Sequence, residues 1–270
     1  MRIKTQLIKF IILSSFLLGQ VDLLNSRFIF TPGTGYDPSV QSPKDYLGYD
    51  LGTEYTIYAD VLAYLRNLDD QSDRVSIHPY GKTHEGRTLE YLVITGEKNH
   101  KRLEEIRKNN LRLADPRIIN KRVADKIIKG NPGIYWLSYN VHGNEPSSTE
   151  AVMQVAYRLA AGRDKETRKI IDNSVVILVP CINPDGRDRY VYWYKSAQSH
   201  VSNTDQYDYE HDEPWPGGRT NHYWFDLNRD WVWMVHPESK GRIAAYQHWL
   251  PQIHVDYHEM GFNRNYFTMP

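Results

Sequence analysis

GIYWLSYNVHGNEPSSTE, residues 133 to 150, decides how the rest of the chain is read. Residues 133 to 141 are largely apolar or aromatic, which predicts a short buried strand. Ser147 and Glu150 then have the spacing of a capping box. Val152, Met153, Val155, Ala156, Leu159 and Ala160 follow at helical intervals. His142 and Glu145 therefore fall where a strand ends and a helix begins. In an open α/β sheet, ligands bind at the carboxyl ends of strands. Two potential metal ligands at such a place suggest a site, although HxxE alone is a common pattern in a chain with eleven histidines. The plain alternative is a histidine closing a strand end and a glutamate paired with an arginine.

Working outward toward the amino terminus, the charged segment from Lys98 to Lys129 reads as exposed helix or loop, broken at Asp115-Pro116. RVSIHPYGKTHEGRTLEYLVITG, residues 74 to 96, reads as two strands joined by a glycine-bearing turn. From Thr53, Ile57, Tyr58, Val61, Leu62, Tyr64, Leu65 and Leu68 recur at helical spacing until DDQSD. Toward the carboxyl terminus, SVVILVP (174 to 180) is a second buried strand, ending at the turn sequence NPDGR, Asn183 to Arg187. The tyrosines and tryptophans crowd into residues 190 to 235, predicting a long aromatic-stiffened loop region that lines a cleft or packs on itself. Glu238 to Leu250 has helical spacing and stops at Pro251, and Ile253 to Tyr257 reads as a strand with His258 and Glu259 at its end.

This alternation predicts an α/β fold, an open, mostly parallel (mixed) twisted sheet with helices on both faces. His142, His258 and Asn183 to Asp185 all fall at strand carboxyl ends. No GxGxxG, P-loop, G-x-S-x-G or CxxC pattern is present, which removes the usual nucleotide and serine-hydrolase readings. Lysine plus arginine equals aspartate plus glutamate, so charge gives no argument for a nucleic-acid partner. Residues 1 to 19 carry Arg2, Lys4 and Lys9 before the apolar run Phe10 to Leu18, which predicts a signal peptide and export, secreted or periplasmic. No later stretch reaches transmembrane length, so stable membrane insertion is not expected. Residues 20 to 52 read as an extended lead-in and 53 to 270 as the main domain. Cys181, the only cysteine, reads as a small buried hydrophobe.

Four motifs stand in order: HGNE, NPDGR, DLNRDW (Asp226 to Trp231) and DYHE (Asp256 to Glu259). Together they resemble the M14 family of zinc carboxypeptidases, and the YGKTHEGRTL segment (Tyr80 to Leu89) is similar to that family's opening. The resemblance runs from about Thr53 to the last residue. It implies a zinc-dependent hydrolase that cuts peptides at their carboxyl end, with one zinc ion per chain held by His142, Glu145 and His258. Asp256 or Glu259 would accept the other N–H of the His258 imidazole. Asn228 and Arg229 match the pair that binds the substrate's terminal carboxylate, a task suited to a guanidinium fork. Without the family, Arg229 reads equally as an ion-pair residue beside Asp226 or Asp230.

The chain also departs from the family. The general-base glutamate belongs on a strand well past the third ligand, so it is expected beyond Pro270, with the chain the front part of a longer protein. The carbonyl-polarising arginine commonly follows NPDG in a W-R-K context, where this chain has Trp193-Tyr194-Lys195. Lys195, Arg187 or Arg189 are the substitutes. Asn144 stands where many digestive members have arginine. These departures keep open a non-catalytic metal- or peptide-binding module of the same fold, a zinc amidase or deacylase, and an interaction protein built on the aromatic region.

Overall fold

In the computed structural model, residues 33–201 and 203–261 are described. The chain divides at Gly35, and the account below concerns the unit that begins there. The proposed signal segment at 1 to 19 lies outside the described residues, as do 20 to 32 of the lead-in and 262 to 270.

Five strands form one mixed sheet in the order β1-β2-β4-β3-β5. They are β1 (Val75–Lys82), β2 (Thr88–Ile94), β3 (Gly133–Ser138), β4 (Ser174–Val179) and β5 (Ile253–Asp256). β1 and β2 form an antiparallel hairpin, β2 pairs antiparallel with β4, and β3 runs parallel to both β4 and β5. β4 is buried along its whole length, as its unbroken SVVILV run demands of a strand covered on both faces.

The pleat of β4 sorts its side chains into two cores. Val176 and Leu178 pack with Val61, Leu65 and Leu68 of α2 (Tyr58–Gln71) and with Val152, Met153 and Ala156 of α6 (Ser147–Ala161). Val175, Ile177 and Val179 pack on the other face with Trp136, with Ile106 of α4 (Leu103–Ala114) and with Trp249 of α9 (Pro237–Trp249). Helices therefore cover both faces, as the sequence pattern predicts. Burying each such side chain contributes roughly 1.5–3 kcal/mol, so this double layer is the main source of stability.

The remaining helices are short or peripheral. α1 (Pro43–Leu47) lies in the lead-in segment, which is thus helical in part. α3 (Glu97–His100) and α5 (Lys121–Gly130) complete the charged stretch. α7 (Lys165–Asn173) leads into β4 and α8 (Pro184–Ala197) leaves it. No helix among the described residues is long and apolar enough to cross a membrane.

Two local expectations need correction. NPDGR is a turn that becomes a helix: the Asn183 side chain accepts the Gly186 N–H as N-cap, and Pro184 takes the first turn of α8. α8 consequently absorbs the start of the region read as aromatic loop. The capping box at Ser147 and Glu150 does not form, because Pro146 is the N-cap and Glu150 is drawn into the core. Its carboxylate there accepts from the Thr56 N–H and hydroxyl and pairs with Arg187.

Strand order reverses around β3. The chain crosses from β3 to β4 on one side, then returns through α8 and α9 to set β5 on the other. The crevice outside the carboxyl end of β3 is where such sheets hold ligands.

Candidate metal centre

The turn after β3 is shaped by Asn140, which adopts a left-handed backbone (φ 55) that asparagine tolerates better than most residues. Its amide nitrogen donates to the carbonyls of His142 (2.6 Å) and Glu145 (2.8 Å), pulling the HGNE loop into a hook. Gly143 lies where this hook meets α8. A Cβ there would stand 2.2 Å from the backbone of Gly186 and Arg187 and 2.5 Å from the Gly218 carbonyl. A Cβ on Gly186 would in turn meet the Gly218 carbonyl at 2.3 Å. Three distant segments thus touch backbone to backbone, which only glycine permits.

The hook and the end of β5 bring His142, Glu145 and His258 together, with one ligand atom from each lying within 4.8 Å of the others. His142 Nδ1 is 2.9 Å from Glu145 Oε1, and His258 Nδ1 is 3.2 Å from Glu145 Oε2. The two Nδ1 atoms are 3.3 Å apart. On the far side of each ring, Nε2 meets a carboxylate: Asp226 Oδ1 at 3.0 Å for His142 and Asp256 Oδ2 at 3.1 Å for His258. Both nitrogens of each ring thus face a carboxylate, and with an ion held on the Nδ1 side the outer partners would keep the proton on Nε2. Two neutral nitrogen donors and a carboxylate converging on one point fit a transition-metal dication.

Burial acts to raise the Glu145 carboxyl. Hydrogen bonds from His142 and the Glu259 N–H outweigh it and hold the group below its ordinary value. Asp226 behaves alike: burial raises it, and the Asn228 N–H with the charges of His142 and Arg219 bring it lower. Of the two expected partners for His258, Asp256 is the one in contact. Glu259 is turned away, its carboxylate accepting from the Ser147 N–H (2.7 Å) and hydroxyl (3.1 Å) at the start of α6.

Among the cations considered from the sequence, Arg187 is corrected to a structural residue. It is fully buried, with its guanidinium bound to Glu150, to the Thr56 carbonyl and to the Pro146 carbonyl, so no substrate can reach it. Arg189 donates to the carbonyls of Gly217 and Asn221 and so braces a loop. Lys195 pairs with Glu54 at the surface.

The cation that does reach the centre, Arg219, escaped the sequence reading. Its guanidinium lies 3.5 Å from Glu145 Oε1 and 3.1 Å from Asp226 Oδ2 and is 46% exposed. The loop carrying it is pinned by Glu213, which accepts from the Gly218 N–H and from the Asn144 amide. The only signal in the sequence was the Gly217-Gly218 pair before it.

Asp226 is also the N-cap of the short 3-10 turn Leu227–Arg229. Asn228 sits there with its side-chain oxygen accepting from the Trp231 indole N–H. Arg229 is exposed and forms no ion pair among the described residues, since Asp226 is engaged at the centre and Asp230 accepts from the backbone of Val235 and His236.

Comparison with known proteins gives the family of the chain. A family profile described as zinc carboxypeptidase matches residues 61–250. Carboxypeptidase 2 of Trichophyton equinum is 22% identical over 202 residues, covering 74% of this chain and 28% of that protein. A probable carboxypeptidase 2 of Arthroderma benhamiae is 26% identical over 131 residues, or 48% of this chain and 20% of that one. The carboxypeptidase A structure from Helicoverpa armigera superposes with a TM-score of 0.51 at 18% identity, covering 77% of this chain and 46% of that chain. The chain thus spans about a quarter of the curated relatives it matches and about half of that structure.

Proposed function

The chain belongs to the zinc carboxypeptidase family, and from that premise we propose that it serves zinc-dependent removal of residues from the carboxyl end of peptides. The observation that carries this reading is the convergence of two Nδ1 atoms and one carboxylate at the carboxyl ends of β3 and β5. His142, Glu145 and His258 would hold the ion. Zinc bound there supplies Lewis acidity to a water molecule and to the scissile carbonyl.

The chain's own groups do the positioning. With the ion bound, Asp226 and Asp256 would hold the two imidazoles in the Nε2–H tautomer, which turns both Nδ1 lone pairs to the ligand side. Arg219 brings a partly exposed positive charge to the edge of the centre, where an oxygen gaining negative charge is stabilised. Arg229, exposed and without an ion pair among the described residues, offers a fork for the substrate's terminal carboxylate beside Asn228. The charge pattern of residues 1 to 19 supports export.

A second reading, peptide binding without cleavage, is favoured by the orientation of Glu259, whose carboxylate faces Ser147 and not the ligand atoms. One experiment separates the two. The intact protein is given a peptide with a free or an amidated carboxyl end, with and without a zinc chelator. We expect release of the last residue from the free peptide only, lost on chelation and restored by zinc. His142→Ala should abolish it, and Arg229→Ala should raise KM at least tenfold. Binding of the free peptide with no release would support the second reading, and equal cleavage of the amidated peptide would point to a broader amidase.

A further inference from the structure

Among the described residues a second cluster of metal-ligating side chains stands apart from the first and shares no residue with it: His84, His236 and Glu238. His84 lies in the turn between β1 and β2. The other two lie at the start of α9, 152 and 154 positions further along the chain. His84 Nε2 is 3.0 Å from His236 Nδ1 and 3.9 Å from Glu238 Oε2, and one ligand atom from each of the three residues lies within 4.8 Å of the others. A dication at about 2.0–2.2 Å from each of three ligands requires ligand atoms roughly 3 to 4 Å apart. The spacing fits.

Two further observations point to a ligand. Glu238 is 1% exposed, yet its Oε2 takes no hydrogen bond, an expensive condition for a buried carboxylate oxygen. Secondly, Asn221 fixes the state of His236. The Asn221 carbonyl oxygen accepts from the N–H groups of Tyr223 and Phe225, so its amide nitrogen is the group facing His236 Nδ1 at 3.1 Å. Nδ1 is therefore unprotonated, and a bound ion would take over the lone pair that now accepts from Asn221.

The scaffold around the cluster is held from several sides. Thr83 donates to Asp185, as does the Glu85 N–H, and the His236 N–H donates to Asp230. His84 keeps a quarter of its side chain exposed, which leaves a path for the ion.

We infer that His84, His236 and Glu238 form a second site for a divalent transition metal, which ties the β1–β2 turn to the start of α9. Two imidazoles with one carboxylate select zinc or its neighbours over calcium or magnesium, which prefer all-oxygen sets. The role is a cross-link, distinct from the hydrolytic centre.

The test is to titrate the full chain with Co2+ and follow visible absorption, with Zn2+ stoichiometry measured in parallel. Wild type should bind two equivalents, H142A/H258A one, and H84N alone one. In the H142A/H258A background, Zn2+ should raise the melting temperature, and adding H84N or E238Q should remove that rise. The inference is overturned if H142A/H258A binds no metal, or if its remaining equivalent survives H84N and E238Q. It is equally overturned if H84N, folded by circular dichroism, still binds as much as wild type. Failure of the hydrolytic reading shows differently, as a metal count that H142A/H258A leaves unchanged.

Discussion

Asp226 divides its two oxygens between a ring that faces the candidate centre and Arg219, the one cation that reaches it among the described residues. Oδ1 meets His142 Nε2 at 3.0 Å and Oδ2 accepts from Arg219. Asp256 performs only the first task, for His258. Replacing either by asparagine keeps the shape but removes the anion that makes the imidazole a stronger donor. Loss of such a partner typically weakens metal affinity about 10–100-fold. We expect Asp256→Asn to fall in that range by competition with a chromophoric chelator. Asp226→Asn should bind at least as weakly and also loosen Arg219; wild-type affinity in both variants would refute the roles assigned. At this scale the candidate ligands were legible because two of them form a local motif at a strand end. Arg219 was not, because what brings it to Glu145 is a loop pinned by Glu213 and Asn183, contacts that leave no periodic trace in a sequence.

At the scale of elements, α9 packs along β1, with a tight approach at Gly241. Gly241 faces Tyr80, and a Cβ on it would come within 2.3 Å of the Tyr80 carbonyl oxygen. Two effects oppose each other in Gly241→Ala. Alanine gains about 1 kcal/mol of helix propensity in mid-helix. Overpacking against a backbone carbonyl, which cannot swing aside, costs about 1–3 kcal/mol or more. We expect the clash to win, with net destabilisation by urea denaturation; a more stable variant would mean that α9 can withdraw from β1 at little cost. The elements themselves were largely legible, since β4 is an unbroken apolar run and α2 carries strong helical periodicity. The capping box at Ser147 failed for a physical reason. Glu150 has a better partner in the buried Arg187, and Glu259 reaches in from β5's end to take the Ser147 N–H that Glu150 would have left open.

For the whole molecule, half-buried carboxyls govern the response to pH. Glu213 is raised above its ordinary 4.5 by burial, against the opposing hydrogen bonds from Asn144 and Gly218. Its folded-state pKa exceeds its unfolded one, so its contribution is fully present below pH 4.5 and is lost as pH rises through the folded value. Glu213→Gln cannot lose a proton and should escape that decline. In metal-free protein, its melting temperature relative to wild type should therefore climb as pH rises from 4.5 toward neutrality, and a flat difference would sink the argument. The fold was legible at this scale because hydrophobic runs and strand ends are local. The pairing of β3 with β5, which completes the first cluster, was not read from the sequence, where the motifs placed His258 only at a strand end. That same pairing has a consequence in time. His258 follows Glu145 by 113 residues. A ribosome adding about 5–20 residues per second would expose the two halves of the centre roughly 6 to 23 seconds apart. During that interval the nascent chain offers an ion only two ligands, so secure loading must wait for β5 to dock beside β3.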